Sequence, residues 1–286
     1  MKIIRSAKTL QKYIRSLKQN SKTVGFVPTM GALHEGHLSL IRKSRRENDI
    51  VVASIFINPT QFGQNEDFSS YPREEKKDKM SLKKEKTDIL FLPVIDEMYP
   101  EGFSTFVEVK ELDQYLCGQY RAGHFQGVTT VVCKLLNLVS PDALYLGQKD
   151  IQQAVIIQKM IKDLNLPVHL RICPTQREKS GLALSSRNKY LDPLERKEAA
   201  VLYKSLRNAK KMIEAGELDV KKIQRQSAQL IKKNSTSVVQ YFECVSFDNL
   251  KPFKKVPPGK SIIALAAYFG KTRLIDNIIV NVKKSE

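Results

Sequence analysis

Two histidines lie three residues apart in the segment PTMGALHEGH, residues 28–37. A short apolar run, Thr23–Pro28, precedes them, and a segment with helical spacing, HLSLIRKSRREN, begins at His37. A strand-to-helix junction in an α/β fold binds phosphates, because free backbone N–H groups and the helix dipole face the ligand. His34 and His37 would share one side of the helical turn and could donate hydrogen bonds to phosphate oxygens.

Two other readings of this histidine pair stay open. The segment H-E-G-H is one residue shorter than H-E-x-x-H, in which histidines four apart bind one zinc ion. The spacing therefore disfavours zinc without excluding it. An ordinary pair of surface histidines is the other alternative.

A second group of polar residues follows the apolar run Asp49–Ile57 in the segment FINPTQF, residues 56–62. The carboxyl ends of parallel strands line the ligand crevice of such folds. Asn58 and Gln61 are neutral donors and acceptors that suit a hydroxylated acid. The alternative is that Asn58-Pro59 forms only a turn.

Two further segments carry groups that bind anions. In GQKDIQQ, residues 147–153, Lys149 is placed like a phosphate-binding lysine at a strand-to-helix turn, and Asp150 could equally serve only as a helix cap. In LSSRN, residues 184–188, Ser185, Ser186 and Arg187 could form a mobile anion clamp. Here too the alternative is a pair of capping serines.

Alternating strands and helices must position these residues. The sequence predicts strands over 23–28, 49–57, 88–93, 143–147 and 168–173, with helices over 73–86, 125–139 and 150–164 between them. This alternation predicts an α/β fold: a Rossmann-like parallel sheet with helices on both faces. After residue 175 the pattern becomes α+β, with helices over 193–215 and 219–233 and strand candidates over 238–247, 262–269 and 272–280. We therefore predict domains at 1–175 and 176–286, with a hinge at 174–186.

Composition limits the possible partners. The formal net charge of +18 favours anionic ligands, but aromatic residues are not interleaved with the basic runs, so we predict no nucleic-acid binding. No apolar run reaches the ~18–20 residues of a membrane span, and the basic N-terminus lacks the apolar core of a signal peptide. We therefore predict no membrane partner and a cytoplasmic location. The four cysteines form no C-x-x-C pair and are predicted to stay reduced.

Taken together and in this order, the segments resemble the pantothenate synthetase family. The strings PTMGALHEGH, FINPTQF, YPR, GHFQGV, GQKDIQQ and GLALSSRNKYL are similar to that family's signature segments, and the likeness runs from about residue 23 to 193. The family belongs to a wider nucleotidylyltransferase group that shares an H-x-G-H turn and a Rossmann-like fold. The resemblance implies ATP-dependent condensation of pantoate with β-alanine through a pantoyl-adenylate, with release of pyrophosphate and AMP.

The resemblance also implies roles for particular residues. It assigns catalysis to His34, His37, Lys149 and Arg187. It assigns ATP binding to Met30, His34, His37, Gly147, Lys149, Asp150, Leu184, Ser185, Ser186 and Arg187. It assigns pantoate binding to Met30, Asn58, Gln61, Tyr71, Arg121 and Gln153. Mg²⁺ would accompany ATP, with Asp78 as the candidate carboxylate ligand, and the chain would form a homodimer through its N-terminal domain. The larger domain would bind ATP and pantoate, and the C-terminal domain would close as a lid.

Three departures from the family pattern are visible. Gln148 stands where glutamate is usual, Ala122 stands where proline is usual, and Lys77-Asp78 replaces a pair of aspartates found in some members. The last change favours water and phosphate over protein carboxylates as ligands of Mg²⁺. No residue is assigned as the base for the β-alanine step.

Two rival functions remain. A different adenylate-forming enzyme of the same fold, such as a tRNA-charging relative, would need an RNA-binding module, for which the C-terminal region of about 110 residues leaves little room. A basic RNA-binding protein with an enzyme-like fold would show salt-sensitive affinity for nucleic acid and no turnover of ATP.

Overall fold

The computed structural model describes residues 1–64 and 66–283, which form two units. The first unit comprises residues 1–110, 121–147 and 156–174. The second comprises residues 111–120 and 148–155 together with the described chain from residue 175 to 283. Two short segments that precede residue 175 therefore group with the C-terminal part of the chain.

The first unit is built on a six-stranded parallel sheet, which confirms the predicted fold class. Its strands are β1 (Lys2–Ile4), β2 (Val24–Thr29), β3 (Ile50–Ile55), β4 (Ile89–Phe91), β5 (Ala143–Gly147) and β6 (His169–Cys173). Their order is β1-β4-β3-β2-β5-β6, and every pairing is parallel. The chain runs outward from β2 in one direction through β3 and β4, and in the other through β5 and β6. The ligand crevice of such a sheet lies at this reversal, outside the carboxyl ends of β2 and β5.

Helices connect these strands and flank the sheet. They are α1 (Ala7–Gln19), α2 (Glu35–Glu47), α3 (Glu75–Lys84), α4 (Ile95–Met98), α5 (His124–Val139) and α6 (Ile151–Asp163). Right-handed crossovers place the helices of the two directions from β2 on opposite faces of the sheet, so α2 and α3 share one face. The strand β1 and the helices α1 and α4 were not among the elements predicted from sequence.

The core of the first unit explains why the apolar runs became strands. Val27, Val51, Ala53 and Leu90 are fully buried and pack beneath Ile41 of α2. Strands of a parallel sheet are covered on both faces, so their sequences are apolar almost without interruption. Tyr145 of β5 is also buried, and its hydroxyl donates to Glu47 Oε2 (2.8 Å) and accepts from Asn48 Nδ2 (2.7 Å).

The second unit packs helices α7 (Pro193–Ala199), α8 (Val201–Glu214) and α9 (Val220–Asn234) on a three-stranded antiparallel sheet. The strands are β7 (Val238–Ser246), β8 (Gly259–Phe269) and β9 (Thr272–Val282), in that order, so β9 is an edge. The predicted α+β pattern is thus confirmed.

The prediction of a single long helix over 193–215 is wrong, because the helix is interrupted at Ala200. There the backbone N–H donates to Glu198 O instead of continuing the regular ladder. The predicted apolar face survives the break: Ala199, Leu202, Leu206, Ala209 and Ile213 are all buried.

Among the described residues no helix is both long and apolar enough to cross a membrane. All four cysteines are thiols, and Cys117, Cys173 and Cys244 are buried.

We predict that Tyr145 stabilises the fold at neutral pH and that this contribution is lost at alkaline pH. Burial and the neighbouring Glu47 carboxylate raise the pKa of Tyr145 to about 12. A group whose pKa is higher in the folded than in the unfolded protein stabilises the fold below its unfolded pKa of about 10, and this stabilisation is lost as the pH rises towards 12.

In the Tyr145→Phe variant, the loss of the two hydrogen bonds should lower the free energy of unfolding by about 1 kcal/mol at neutral pH. Denaturant unfolding at neutral pH and near pH 11 measures the effect, and the difference from the parent should shrink at the higher pH. A constant difference would contradict this account.

Candidate functional site

The turn between β2 and α2 is held open by a buried carboxylate. Gly31 (φ 83°) and Ala32 (φ 48°) both adopt the left-handed region, which an alanine rarely occupies. The cost of this conformation is offset by Asp78 of α3, whose Oδ2 accepts the Ala32 N–H (2.9 Å) and whose Oδ1 accepts the Leu33 N–H (2.8 Å). Asp78 is 1% exposed. Hydrogen bonds to an ionised acceptor are the strong kind, so this carboxylate fixes the path of the turn.

His34 and His37 cap the helix that follows. His34 Nδ1 accepts the Gly36 N–H (3.1 Å), and His37 Nδ1 accepts the His34 N–H (3.3 Å). The two rings lie 4.1 Å apart, centroid to centroid. A ring nitrogen that accepts an N–H carries no proton, so each neutral imidazole has its proton on Nε2. Both histidines are thus arranged as Nε2–H donors at the positive end of α2.

Asn58 lies behind Gln61 and supports it. Asn58 is 1% exposed, and its Nδ2 donates to Gln61 Oε1 and to Gly127 O, both at 3.1 Å. Gln61 Nε2 in turn donates to Met30 Sδ (3.1 Å). The structure thus brings the predicted residues Met30, Asn58 and Gln61 together. Asn58 is buried and supports Gln61 through a hydrogen bond, whereas Gln61 itself is half-buried.

A glycine allows this arrangement. A Cβ atom at Gly127 of α5 would lie 2.4 Å from Thr60 O and 2.8 Å from the Gln61 backbone nitrogen. The turn that carries Gln61 therefore approaches α5 more closely than any side chain would permit.

Tyr71, another predicted residue, is buried and packs edge-on against Phe62 at 5.9 Å between ring centroids.

Arg121 belongs to a charged network beside Gln61. Its guanidinium binds Glu66 in bidentate fashion, with both N···O distances 2.6 Å, and its Nη1 donates to His124 Nε2 (2.8 Å). His124 Nδ1 then donates to Gln61 O (2.7 Å). Partial burial raises the pKa of Glu66, but the hydrogen bonds and charge of Arg121 outweigh it, so the pKa lies below its ordinary value. The network anchors Arg121 close to the backbone of Gln61.

In the second unit, the 3-10 turn Gln148–Asp150 follows β5 directly and carries Lys149 and Asp150. Lys149 Nζ lies 3.4 Å from Asp150 Oδ1, and Asp150 is exposed. Asn277 Nδ2 donates to the carbonyls of Gln148 and Lys149, both at 2.9 Å. The next turn is also anchored: Gln152 Oε1 accepts the Cys117 N–H (2.9 Å), while the neighbouring Gln153 is half-buried.

The segment with the two serines follows a β-hairpin of the second unit. Arg177 pairs with Ala183, and the Leu184 N–H donates to Gln176 O (2.9 Å). Ser185 then caps a 3-10 turn, Ser186–Tyr190, because its Oγ accepts the Arg187 N–H (3.3 Å). Ser185 is therefore a capping residue, as one of the two sequence interpretations predicted. This cap orients the backbone that carries Arg187.

The described residues do not build a metal site of their own. Within 1–64 and 66–283 there is no group of three or more His, Cys, Asp or Glu side chains that could hold an ion. Asp78, the predicted ligand, accepts two backbone N–H groups of the turn.

Sequence reasoning missed the residues that support the predicted site residues within each unit. They are Glu66, Gly127, Gln152, Asp276 and Asn277. Gly127 lies in the quoted string GHFQGV, and Gln152 lies beside the predicted Gln153, so their local context carried a signal. The other three are separated from their partners by 55 to 129 residues, and no local pattern indicates them.

A parallel sheet with a histidine-bearing turn at its reversal defines a nucleotide-binding α/β enzyme. The family model described as pantoate–β-alanine ligase matches residues 2–279. A curated pantothenate synthetase of Caldicellulosiruptor saccharolyticus is 51% identical over 282 residues, which cover 99% of this chain and all of that protein. One of Sulfurihydrogenibium is 52% identical over 279 residues, covering 97% of this chain and 99% of that protein.

Solved structures of pantothenate synthetases are also similar to this chain. The pantothenate synthetase of Thermus thermophilus superposes with a TM-score of 0.91 at 41% identity, over 97% of this chain and 99% of that chain. The pantoate–β-alanine ligase of Francisella tularensis, solved as a complex with β-γ ATP and β-alanine, gives 0.81 at 38% identity, over 98% of this chain and 97% of that chain. The chain belongs to the pantoate–β-alanine ligase family. It is a ligase that uses ATP to form pantothenate.

We predict that Asp78 is required for the shape of the turn and not for holding metal. Asp78→Asn replaces one carboxylate oxygen by an NH₂ group that faces a backbone N–H, so the free energy of unfolding should fall by about 1–3 kcal/mol in metal-free buffer. Denaturant unfolding measures this, with the exposed Asp96→Asn of α4 as the control.

A different result would restore the role as metal ligand. In that case Asp78→Asn would unfold like the parent in metal-free buffer and would need more Mg²⁺ for activity.

Proposed function

We propose that the protein makes pantothenate in two steps at the turn that bears His34 and His37. In the first step a carboxylate oxygen of pantoate attacks the α-phosphorus of ATP, and the bond to the β-phosphate oxygen breaks. The products are pantoyl-adenylate and pyrophosphate. In the second step the amine of β-alanine attacks the activated carbonyl, AMP leaves, and a proton is released. The observation that carries this proposal is the pair of imidazoles fixed as Nε2–H donors at the start of α2.

Phosphoryl transfer asks a protein mainly for positioning and for stabilisation of spread negative charge. We assign this task to His34 and His37 in the first unit. In the second unit we assign binding of ATP phosphates to Lys149, Ser185, Ser186 and Arg187. Gly147, Asp150 and Leu184 would contact the nucleoside. The net charge of +18 supports capture of an anionic substrate.

Mg²⁺ would enter as part of the substrate. An ion of this kind commonly keeps several waters and is bound by substrate phosphates with few protein ligands. The engagement of Asp78 with two backbone N–H groups supports delivery of the ion as the ATP complex.

Pantoate recognition is proposed for Gln61 and Gln153, with Met30, Tyr71 and Arg121 beside it. Gln61 is supported by Asn58, whose side-chain hydrogen bonds leave it little freedom. The Arg121 guanidinium, which is paired with Glu66, lies next to the Gln61 backbone carbonyl, at an Nη2···O distance of 3.4 Å. A neutral amide together with a guanidinium suits a ligand that carries hydroxyl groups and a carboxylate. We also propose that the reaction takes place in the cytoplasm, where ATP is available.

The histidine donors can be tested with a variant that keeps the helix cap. In His37→Asn the Oδ1 atom can still accept the His34 N–H, but no donor remains at the Nε2 position. We expect kcat for pantoate-dependent release of pyrophosphate to fall about a hundredfold or more. His169→Ala, an exposed histidine of β6, is the control and should match the parent.

The same assay tests the order of the steps. Pyrophosphate should form with ATP, Mg²⁺ and pantoate alone, whereas AMP and pantothenate should require β-alanine. Release of pyrophosphate only after β-alanine is added would overturn the adenylate route, and an unchanged His37→Asn would remove His37 from the site.

We further propose that two chains associate through the first unit. The irregular segment 103–109 lies outside both sheets and alternates in exposure, with Val107 and Val109 half-buried and Phe106 50% exposed. It borders a cavity of about 360 Å³ against α5, lined by Phe103, Val107, Thr130 and Leu138 among others. Exposed apolar groups next to such a concave surface mark a place where protein surfaces meet.

Sedimentation should show a particle of twice the 32.6 kDa chain mass. Phe106→Glu should shift it towards the monomer, because a charge would be buried without a partner. Met80→Glu, at an apolar residue of α3 that is 70% exposed, serves as the control. A monomeric parent protein would refute the dimer, and a Phe106→Glu dimer as stable as the parent would refute this interface.

A further inference from the structure

Two consecutive polar residues in the edge strand β9 are almost completely buried. Asp276 is 3% exposed and Asn277 is 2% exposed. Burying a charge or an amide is costly unless its hydrogen bonds are satisfied. Both side chains find their partners outside the sheet, in segments that are distant in sequence.

Asn277 is bonded to the turn that carries Lys149. Its Nδ2 donates to Gln148 O and Lys149 O, both at 2.9 Å, and its Oδ1 accepts from Gln148 Nε2 (3.3 Å). Both amide hydrogens and the amide oxygen are used in these three bonds. The turn Gln148–Asp150 is thereby fixed to β9 through its backbone, and the bonds to Asn277 do not involve the Lys149 side chain.

Asp276 is bonded to the hairpin that leads to Ser185. Arg177 donates to both carboxylate oxygens, with N···O distances of 2.6 and 2.9 Å, and also to Gly181 O (3.1 Å). The guanidinium lies over the ring of Tyr203, 3.6 Å from its centroid. Arg177 thus ties the two arms of the hairpin to each other and to β9.

Strand geometry explains how one dipeptide reaches two segments. Successive side chains of a strand point to opposite faces. Asp276 lies on the face of Leu274, Ile278 and Val280, which pack against α8 and α9. Asn277 lies on the other face. The Asn277 N–H donates to Asp276 Oδ1 (2.8 Å), so the two side-chain networks are joined.

We infer that Asp276 and Asn277 are positioning residues, which set the distance between the Lys149 turn and the Ser185–Arg187 segment of the second unit. This inference rests on the proposed function, in which both segments bind the phosphates of ATP. A rigid strand that holds both from behind keeps their cationic groups at a constant separation. Preorganisation of this kind matters because a displacement of about 1 Å can reduce a rate a hundredfold.

The test replaces Asn277 by Ala and by Asp in the full-length protein. Asn277→Asp keeps the shape but removes both donors to the carbonyls of the turn. The KM for ATP should rise at least about tenfold in both variants, while the KM for β-alanine stays within about twofold. Asn281→Asp, an exposed residue four positions further along β9, is the matched control and should behave like the parent.

A merely structural role would give a different pattern. It would lower the active fraction, and hence kcat, together with the melting temperature, but leave the KM for ATP unchanged. That outcome would overturn the inference. Arg177→Lys tests the other arm, because lysine keeps the charge but cannot bind both oxygens of Asp276 in the fork geometry. It too should raise the KM for ATP.

Comparison with Lys149→Ala separates this inference from the proposed function. If Lys149→Ala leaves ATP binding unchanged by calorimetry, the assignment of Lys149 fails. If Lys149→Ala weakens ATP binding and Asn277→Ala does not, only the positioning role fails. Because Asn277 would act through Lys149, the double variant should bind ATP about as weakly as Lys149→Ala alone. Fully additive losses would contradict the inference.

Discussion

A buried carboxylate sets the geometry on which the rest of the first unit's site depends. Asp78 accepts two consecutive backbone N–H groups from Ala32 and Leu33, and so holds a glycine and an alanine in left-handed conformations. Without this turn, β2 could not lead into α2 with His34 at its N-terminus. The cap then fixes the tautomer of both histidines, because each Nδ1 accepts a backbone N–H. The contact between the Asp78 carboxylate and the backbone of the turn therefore determines where the donors of His34 and His37 lie.

Buried side-chain amides recur behind the predicted binding residues. Asn58 supports Gln61, Gln152 fixes the chain at Cys117, and Asn277 fixes the turn of Lys149. An amide can bond to backbone carbonyls and N–H groups at once, and it carries no charge to be desolvated. Such residues can hold irregular segments firmly without altering the electrostatic field around an anionic substrate. The residues that face the substrate can then be cationic or neutral donors.

This division suits the chemistry of the family. Adenylation of a carboxylate needs charge stabilisation and alignment more than covalent participation, so donors fixed in advance contribute directly. Donors that are already oriented do not have to reorganise when negative charge develops on the phosphates. The predicted phosphate ligands of the second unit lie on a short 3-10 turn and after a hairpin. Hydrogen bonds from Asp276 and Asn277 attach both segments to β9.

The sequence by itself determined where the main strands lie along the chain, the α/β class and the position of the H-x-G-H turn. Apolar runs of strand length, separated by helical segments, are local signals, and so are the Gly-containing turns. It also indicated the buried face of α7 and α8, although not the break at Ala200, where one hydrogen bond changes partner. The strand β1 has only three residues, of which Ile4 alone is buried, so its pattern was too short to recognise.

Only the tertiary structure decided which side chains support the predicted site residues of each unit. Asp78 reaches back 45 and 46 residues to the turn, and Asn277 reaches back 128 and 129 residues to Lys149 and Gln148. The sequence predicts Asp78 only as a candidate metal ligand, since an isolated carboxylate does not reveal that the fold will bring two backbone N–H groups to it. Which groups meet a carboxylate depends on burial and on the segment that the fold brings opposite to it, and neither is encoded within a local stretch of chain.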